Sequence, residues 1–387
     1  MDKKALISDF EDKIKIITPQ DGYHYFFGYY DMRAAGDGKN LRHLCHSVSF
    51  MDRQPTSSDE CELGYLENGE FYPFAKTTAW NFQQGAMLEY HPTLENTVFY
   101  NLVKDGKFVT ATHNFESGEI RYTDRACACI SPDGNYGLAV NFGRIFAFRP
   151  GYGYAGFVDE NSGVCTPTSD GVFLVDMNTG KSKLLISYRD IAPIAGFLPS
   201  EKILVNHITF APNSKKFLML IRDFREGGGW DTSMLVCDLS GDAFTVVRRS
   251  YVSHYCWIND TEICAHATVV KGKQSLYIFN TETLKYRELT KNYCSGELDI
   301  HCLISPNGKY IIGDGYPEDG YRPLVAIELE SGKSTTLLRA FSIAPDDWDI
   351  RCDLHARFIL GGSYISYDTT ENGRREVAAF PSSIIKF

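Results

Sequence analysis

At 387 residues the chain is about two to three times the usual single-domain length, so length alone suggests two domains. A composition 43% hydrophobic, 13% aromatic and 23% charged excludes disorder, and no apolar run is long enough to span a membrane. With 39 basic against 49 acidic residues, a net charge of −10, the chain is a poor partner for nucleic acid. The first dozen residues carry two lysines and then turn acidic, which is no secretory pattern, so a cytoplasmic protein is expected. The eleven cysteines form no C-x-x-C pair and read as reduced thiols.

Short apolar or alternating runs punctuated by Asn, Asp, Gly and Pro dominate from end to end, which is the pattern of an all-β chain. A segment at 13–18 reads as a lone strand. A frame of strand, tight turn and second strand then recurs. It is seen at Asp31-Met-Arg-Ala-Ala-Gly-Asp-Gly-Lys, Met87-Leu-Glu-Tyr-His-Pro, Cys127-Ala-Cys-Ile-Ser-Pro-Asp-Gly-Asn and His207-Ile-Thr-Phe-Ala-Pro-Asn-Ser-Lys. It returns at His254-Tyr-Cys-Trp-Ile-Asn-Asp, His301-Cys-Leu-Ile-Ser-Pro-Asn-Gly-Lys and His355-Ala-Arg-Phe-Ile-Leu-Gly-Gly-Ser. The seven starts are separated by 56, 40, 80, 47, 47 and 54 residues. Propeller blades repeat every ~40–50 residues, so the expectation becomes one seven-bladed β-propeller, with 13–18 completing the last blade and the widest gap holding an insertion. A pair of β-sandwiches would not repeat one frame seven times.

The innermost strand of each blade runs along the central channel, so the first residue of the frame forms a column there. That column reads Asp31, Met87, Cys127, His207, His254, His301 and His355. Four histidines in four consecutive blades suit a divalent ion, Zn or Mn, because imidazoles are strong ligands for such metals. The expected ligands are His254, His301 and His355, with Cys352 or His207 completing the shell. The alternative is a ring of histidines bonded to backbone and water that closes the channel without metal.

A second cluster, His24-Tyr-Phe-Phe-Gly-Tyr-Tyr-Asp31 with His43 and His46, offers groups that titrate near neutrality for acid–base work. The insertion carries Arg144, Arg149, Tyr152 and Tyr154, suited to an anionic sugar through guanidinium–carboxylate pairs and ring stacking. Gln84, after Trp80, is a further candidate. The run Arg222-Asp-Phe-Arg-Glu-Gly-Gly-Gly-Trp230 reads as a blade loop. No G-x-S-x-G elbow and no phosphate-binding glycine loop is present.

These motifs resemble the propeller polysaccharide lyases, the oligogalacturonide lyases and seven-bladed ulvan lyases. The resemblance rests on the His24 cluster, Trp80-Asn-Phe-Gln-Gln-Gly, Arg149-Pro-Gly-Tyr-Gly-Tyr-Ala-Gly, Asn206-His, Ser253-His-Tyr-Cys-Trp and Arg351-Cys-Asp-Leu-His. It implies metal-assisted β-elimination of an acidic oligosaccharide or polysaccharide. In that scheme His24 and His46 are acid–base candidates, His207 stands among the catalytic groups, Tyr154 is proton donor or stacker, and Arg144 or Arg149 clamps the carboxylate. A non-catalytic propeller that binds glycan or protein around a structural metal is the competing reading, and a metal-dependent sugar hydrolase a third.

Overall fold

The computed structural model describes residues 13–29, 42–225, 228–270, 273–289, 299–343 and 345–386. Its strands form seven four-stranded antiparallel sheets, and in six of them spatial order follows chain order from the inner strand outward. The inner strands are His24–Phe26, Glu89–Tyr90, Cys127–Ile130, Ile203–Phe210, Val252–Trp257, Leu303–Ile304 and Arg357–Ile359. The seventh sheet takes its outermost strand from the other end of the chain: Lys15 pairs with Ala379 and Ile16 with Ala378. The ring is closed as expected, and the chain is a single seven-bladed propeller rather than two domains.

The first blade starts earlier than the repeat suggested. His24–Phe26 is its inner strand and His43–Val48 its second, so the frame near 31 is not where the blade begins. Asp31 itself lies outside the described residues.

The tight turn of the frame has a physical basis in three blades. The amide of its last residue donates to the carbonyl three residues back, Gly134 to Ser131, Ser214 to Ala211 and Gly308 to Ser305. That last residue is left-handed each time, with φ of 77°, 61° and 68°. Glycine takes this conformation without a Cβ penalty, which explains its recurrence there.

The continuous apolar runs reflect burial on both faces of a blade. In the strand Lys216–Asp223, Phe217, Met219 and Ile221 join one hydrophobic cluster while Leu218 and Leu220 join another. Side chains alternate across a strand, so one blade feeds two inter-blade cores, each buried aliphatic or aromatic contributing about 1.5–3 kcal/mol.

Blades are also stitched by acid side chains. Asp314, ending the second strand of blade six, accepts the amides of Leu354 and His355 at 2.9 and 3.0 Å. Asp368, in the second strand of blade seven, accepts those of Phe27 and Gly28 in blade one. Both carboxylates tie one blade to the inner segment of the next, which fixes the residues lining the channel. Among the described residues no helix is long and apolar enough to cross a membrane.

Candidate metal centre and channel site

Residues from all seven blades, among them Tyr29, Glu89, Ile130, Phe210, Trp257, Ile304 and Phe358, line one cavity of about 390 Å³, the lower part of the central channel. His207, His254, His301 and His355 precede Phe210, Trp257, Ile304 and Phe358 by three residues each. They therefore sit about 10 Å further up, at the end where the inner strands begin.

The structure brings these four imidazoles into one row. Ring centres are 6.5 Å apart for His207 and His254, 4.1 Å for His254 and His301, and 4.6 Å for His301 and His355. The metal-type grouping within the row differs from the expected set. His301, His355 and Asp353 offer ligand atoms that all lie within 4.8 Å of one another. Asp353 Oδ2 stands 3.7 Å from His301 Nε2 and 3.8 Å from His355 Nε2. Bonds of about 2 Å to one ion would separate two ligand atoms by about 3–4 Å, so the residues fit a divalent metal with open positions left for a substrate.

Three features position this group. Asp314 lies 3.3 Å from His301 Nδ1, a carboxylate–histidine pairing that orients the ring and turns Nε2 toward the site. His355 has a left-handed backbone, φ 42°, held by its amide bond to Asp314; strain of this kind costs on the order of 1–3 kcal/mol and concentrates at functional sites. Asp353 is clamped between Arg322 at 2.9 Å and Arg351 at 2.7 Å, all three side chains inaccessible to solvent. Asp353 Oδ2, the atom that faces the two histidines, is also the one that Arg351 Nη2 approaches at 2.7 Å.

The electrostatics follow from this packing. Burial opposes charge on His301, but the Asp314 and Asp353 carboxylates outweigh it and hold its pKa at about 9. The proton they keep there is what a divalent ion would replace. His355 is driven well below its ordinary value by burial and by the His301 charge.

His254 has a different partner. Its Nδ1 is 2.7 Å from Asp299, which also accepts from Tyr251 at 2.6 Å and from Ser253, with His266 at 3.1 Å. With Nδ1–H donating to a carboxylate, Nε2 is the basic nitrogen of the ring. Burial lowers its pKa to about 4 even against the Asp299 charge, so the imidazole is neutral near pH 7. Burial would raise the Asp299 pKa, yet His254 and His266 hold it well below the carboxylate range.

The insertion in blade three supplies the wall above. Asn141 caps the helix Phe142–Phe148, and a single 3-10 turn, Pro150–Tyr152, follows. A Cβ on Gly151 would come within 2.6 Å of Asp349 Cβ, and one on Gly153 would strike the backbone of Phe146. Two residues without side chains thus let the loop close on both neighbours and project Tyr152 between them. The Tyr152 hydroxyl accepts from Arg351 at 2.9 Å, its ring lies edge-on to His207 and under Arg149, and Arg149 pairs with Asp349 at 2.8 Å. Burial would raise the Tyr152 pKa, but Arg351 and Arg149 bring it below its ordinary value. His207 Nδ1 lies 3.0 Å from the Tyr29 hydroxyl.

Several sequence expectations need correction. Arg144 is fully buried and pairs with Asp159 at 3.0 Å while bonding the carbonyls of Ile203 and Cys165, so it anchors the insertion and has nothing left for a substrate. Tyr154 is equally buried, stacked 4.2 Å from Phe142 with its hydroxyl on Asn101, and is a packing residue. Cys352 is not in the ligand group; its thiol faces the Asp353 carbonyl at 3.8 Å and burial pushes its pKa to about 12. Cys127 and Met87 belong to hydrophobic clusters, not to the column. Gln84 is buried, its backbone N–H donating to Asn81 Oδ1. His24 opens the first inner strand half-buried beside Arg374 and Arg375, with Nδ1 near the Arg375 amide.

His46 is structural. Its Nδ1 faces the Phe26 carbonyl at 3.2 Å and its Nε2 accepts the Ala86 amide at 3.0 Å, so a second ring proton would point at another N–H. Burial lowers the pKa of His46 and of His43 to about 3, from an ordinary 6.5. An unfolded chain therefore binds these protons first, and stability is full above pH ~6.5 and lost as pH falls toward the folded value. At 1.36 kcal/mol per pH unit per group, the pair should cost about 4 kcal/mol between pH 6.5 and 5. Urea midpoints measured across that range should fall steeply; a flat profile would contradict the assignment.

Four residues of the candidate site lie outside the sequence expectations. Asp353 and Asp299 each lie two positions before a column histidine, where an extended chain puts side chains on one side. Asp314 had no such cue, and Arg222 was passed over as loop although it lies in the strand Lys216–Asp223.

The chain matches no protein-family model and no curated protein sequence. Solved structures do align with it over almost its whole length. An oligogalacturonate lyase in complex with manganese is 16% identical, with 96% of this chain and 94% of that one covered and a TM-score of 0.66. An oligogalacturonate lyase from Vibrio parahaemolyticus is 14% identical over 95% and 93%, with a TM-score of 0.64. Prolyl oligopeptidase B from Galerina marginata is 8% identical over 99% of this chain but 51% of its own, with a TM-score of 0.55. The chain thus shares its propeller fold end to end with the lyases and with about half of the peptidase.

Proposed function

We propose that the chain is a metal-assisted lyase acting on uronate-containing oligosaccharides. The observation that carries this reading is the His301–Asp353–His355 group standing directly beside a neutral His254 that a carboxylate orients. End-to-end likeness to the structures of two oligogalacturonate lyases supports it.

A divalent ion held by His301, Asp353 and His355 would supply a Lewis acid that draws charge from a uronate carboxylate and acidifies the adjacent C5 proton. His254 Nε2 takes that proton, and Asp299 stabilises the imidazolium that results. The C5–H electron pair becomes the C4–C5 double bond as the C4–oxygen bond breaks. Tyr152, its hydroxyl acidified by Arg351 and Arg149, donates the proton to the leaving oxygen. The burial of all these groups excludes water and strengthens each electrostatic contact.

A second reading, a binding propeller, is favoured by one observation. Asp353 is already neutralised by two guanidinium groups, so the cluster could serve only to close the ring. The two separate on one experiment. Manganese-loaded and chelator-stripped protein is mixed with galacturonate oligomers and the ultraviolet absorbance of the unsaturated uronate product is followed. The lyase reading expects absorbance to rise only with metal; bound metal and no product across a panel of uronate oligomers would overturn it.

A further inference from the structure

Arg222 is a buried guanidinium that meets no carboxylate among the described residues. Its side chain comes from the end of the strand Lys216–Asp223 and is 4% exposed. Among the described residues its polar contact is a marginal 3.5 Å approach of Nη2 to the Ser253 carbonyl, and Nε meets no hydrogen-bond partner there. Among the described residues no carboxylate pairs with it; the neighbouring Asp223 is taken by Arg225. Asn206, next to His207, likewise has both amide atoms buried and unbonded. Buried charges are ordinarily paired, because an unpaired one costs several kcal/mol, so a buried guanidinium that none of the described carboxylates meets points to an anion that arrives from outside.

Its surroundings say what kind of anion. Arg222 lies 5.3 Å from the ring of Trp230, and Arg149 lies 5.7 Å from the same ring. Phe148 supports that ring at 5.5 Å, while Trp230 remains 38% exposed. An open aromatic face beside two guanidinium groups suits a pyranose carrying a carboxylate. The site is one residue removed from the metal-type group: Arg222 touches Ser253, His254 is next in sequence, and His254 packs 4.1 Å from His301. Tyr316, stacked on Trp348, lies 6.4 Å from the rings of both His254 and His301.

We propose that Arg222, with Arg149 and the face of Trp230, forms a second carboxylate-binding subsite beside the metal-type group, so that the channel selects acidic oligosaccharides with carboxylates on neighbouring sugars. This rests on the uronate reading above but not on the elimination step.

The test is calorimetric titration of manganese-loaded protein with galacturonate and with trigalacturonate, in a His254→Ala background that suppresses turnover. Arg222→Gln should weaken trigalacturonate binding by about 10–100-fold, the worth of a charge-assisted carboxylate contact, and change galacturonate binding less than about twofold. Arg222→Lys, which keeps the charge, should recover part of the loss, and Trp230→Ala should weaken the trimer alone. An equal loss for monomer and trimer would place Arg222 on the metal-side carboxylate and overturn the subsite, as would no loss at all. Wild-type protein that binds the trimer but releases no unsaturated product would sink the lyase reading and leave the subsite standing. Wild-type protein that binds neither sugar would overturn both.

Discussion

Asp353→Asn is expected to strip the protein of its divalent ion and to destabilise it severely. The carboxylate serves two masters, the His301–His355 pair on one side and Arg322 and Arg351 on the other. Asparagine preserves its volume but not its charge. Removing one partner from a buried ion pair costs about 3–5 kcal/mol, because the charge left behind is uncompensated, and here two guanidinium groups lose their counterion together. Metal per chain, measured after dialysis against limiting manganese or zinc, should fall from about one to near zero, and the urea midpoint should drop with it. His301→Ala and His355→Ala should lose the metal as well. Cys352→Ser should leave the metal content unchanged, since the thiol bonds the Asp353 carbonyl and is not one of the grouped ligand atoms. A full equivalent of metal on Asp353→Asn would show that the carboxylate is not a ligand.

The sequence made the ring and its histidine row legible because both depend on a periodic backbone. Once the frame repeats seven times, equivalent positions must converge on the channel, and the blade connections leave them no other place. What escaped is instead set by contacts between distant segments. Arg144 and Arg149 look alike in an Arg- and Tyr-rich insertion, yet one finds Asp159 in the interior and the other Asp349 at the channel. Tyr152 and Tyr154 differ only in which side of Gly153 they occupy, and the close approach of Gly153 to the helix decides which ring enters the channel. His46 carried no mark of its enclosure, which arises from a loop 40 residues onward whose Gly85 leaves room for the ring. Asp353 and Asp299 could have been found by stepping two residues back from each histidine. Following histidines alone hid the acids that give each its role: Asp314 and Asp353 make His301 a charged, metal-type group, while Asp299 gives His254 its tautomer.

That division of roles is testable by separating metal from rate. The repeat makes His254 and His301 equivalent, so sequence symmetry predicts that both are ligands; the structure gives His254 a carboxylate of its own and leaves it outside the metal-type group. His254→Ala should therefore keep a full equivalent of manganese while lowering kcat for galacturonate oligomers by about 10²–10⁴, the usual worth of a general base. KM should move little, because the lost interaction belongs to the transition state. Asp299→Asn should fall between wild type and His254→Ala: the amide oxygen can still accept from Nδ1, but the imidazolium loses its counter-charge. Combining the two should add almost nothing to His254→Ala, since the acid acts through the histidine. Loss of metal in His254→Ala would return that residue to the ligand shell, and an unchanged kcat would remove it from the chemistry. If the metal stays and the rate collapses, two histidines that the repeat made interchangeable have been set to different tasks by the carboxylate each one meets.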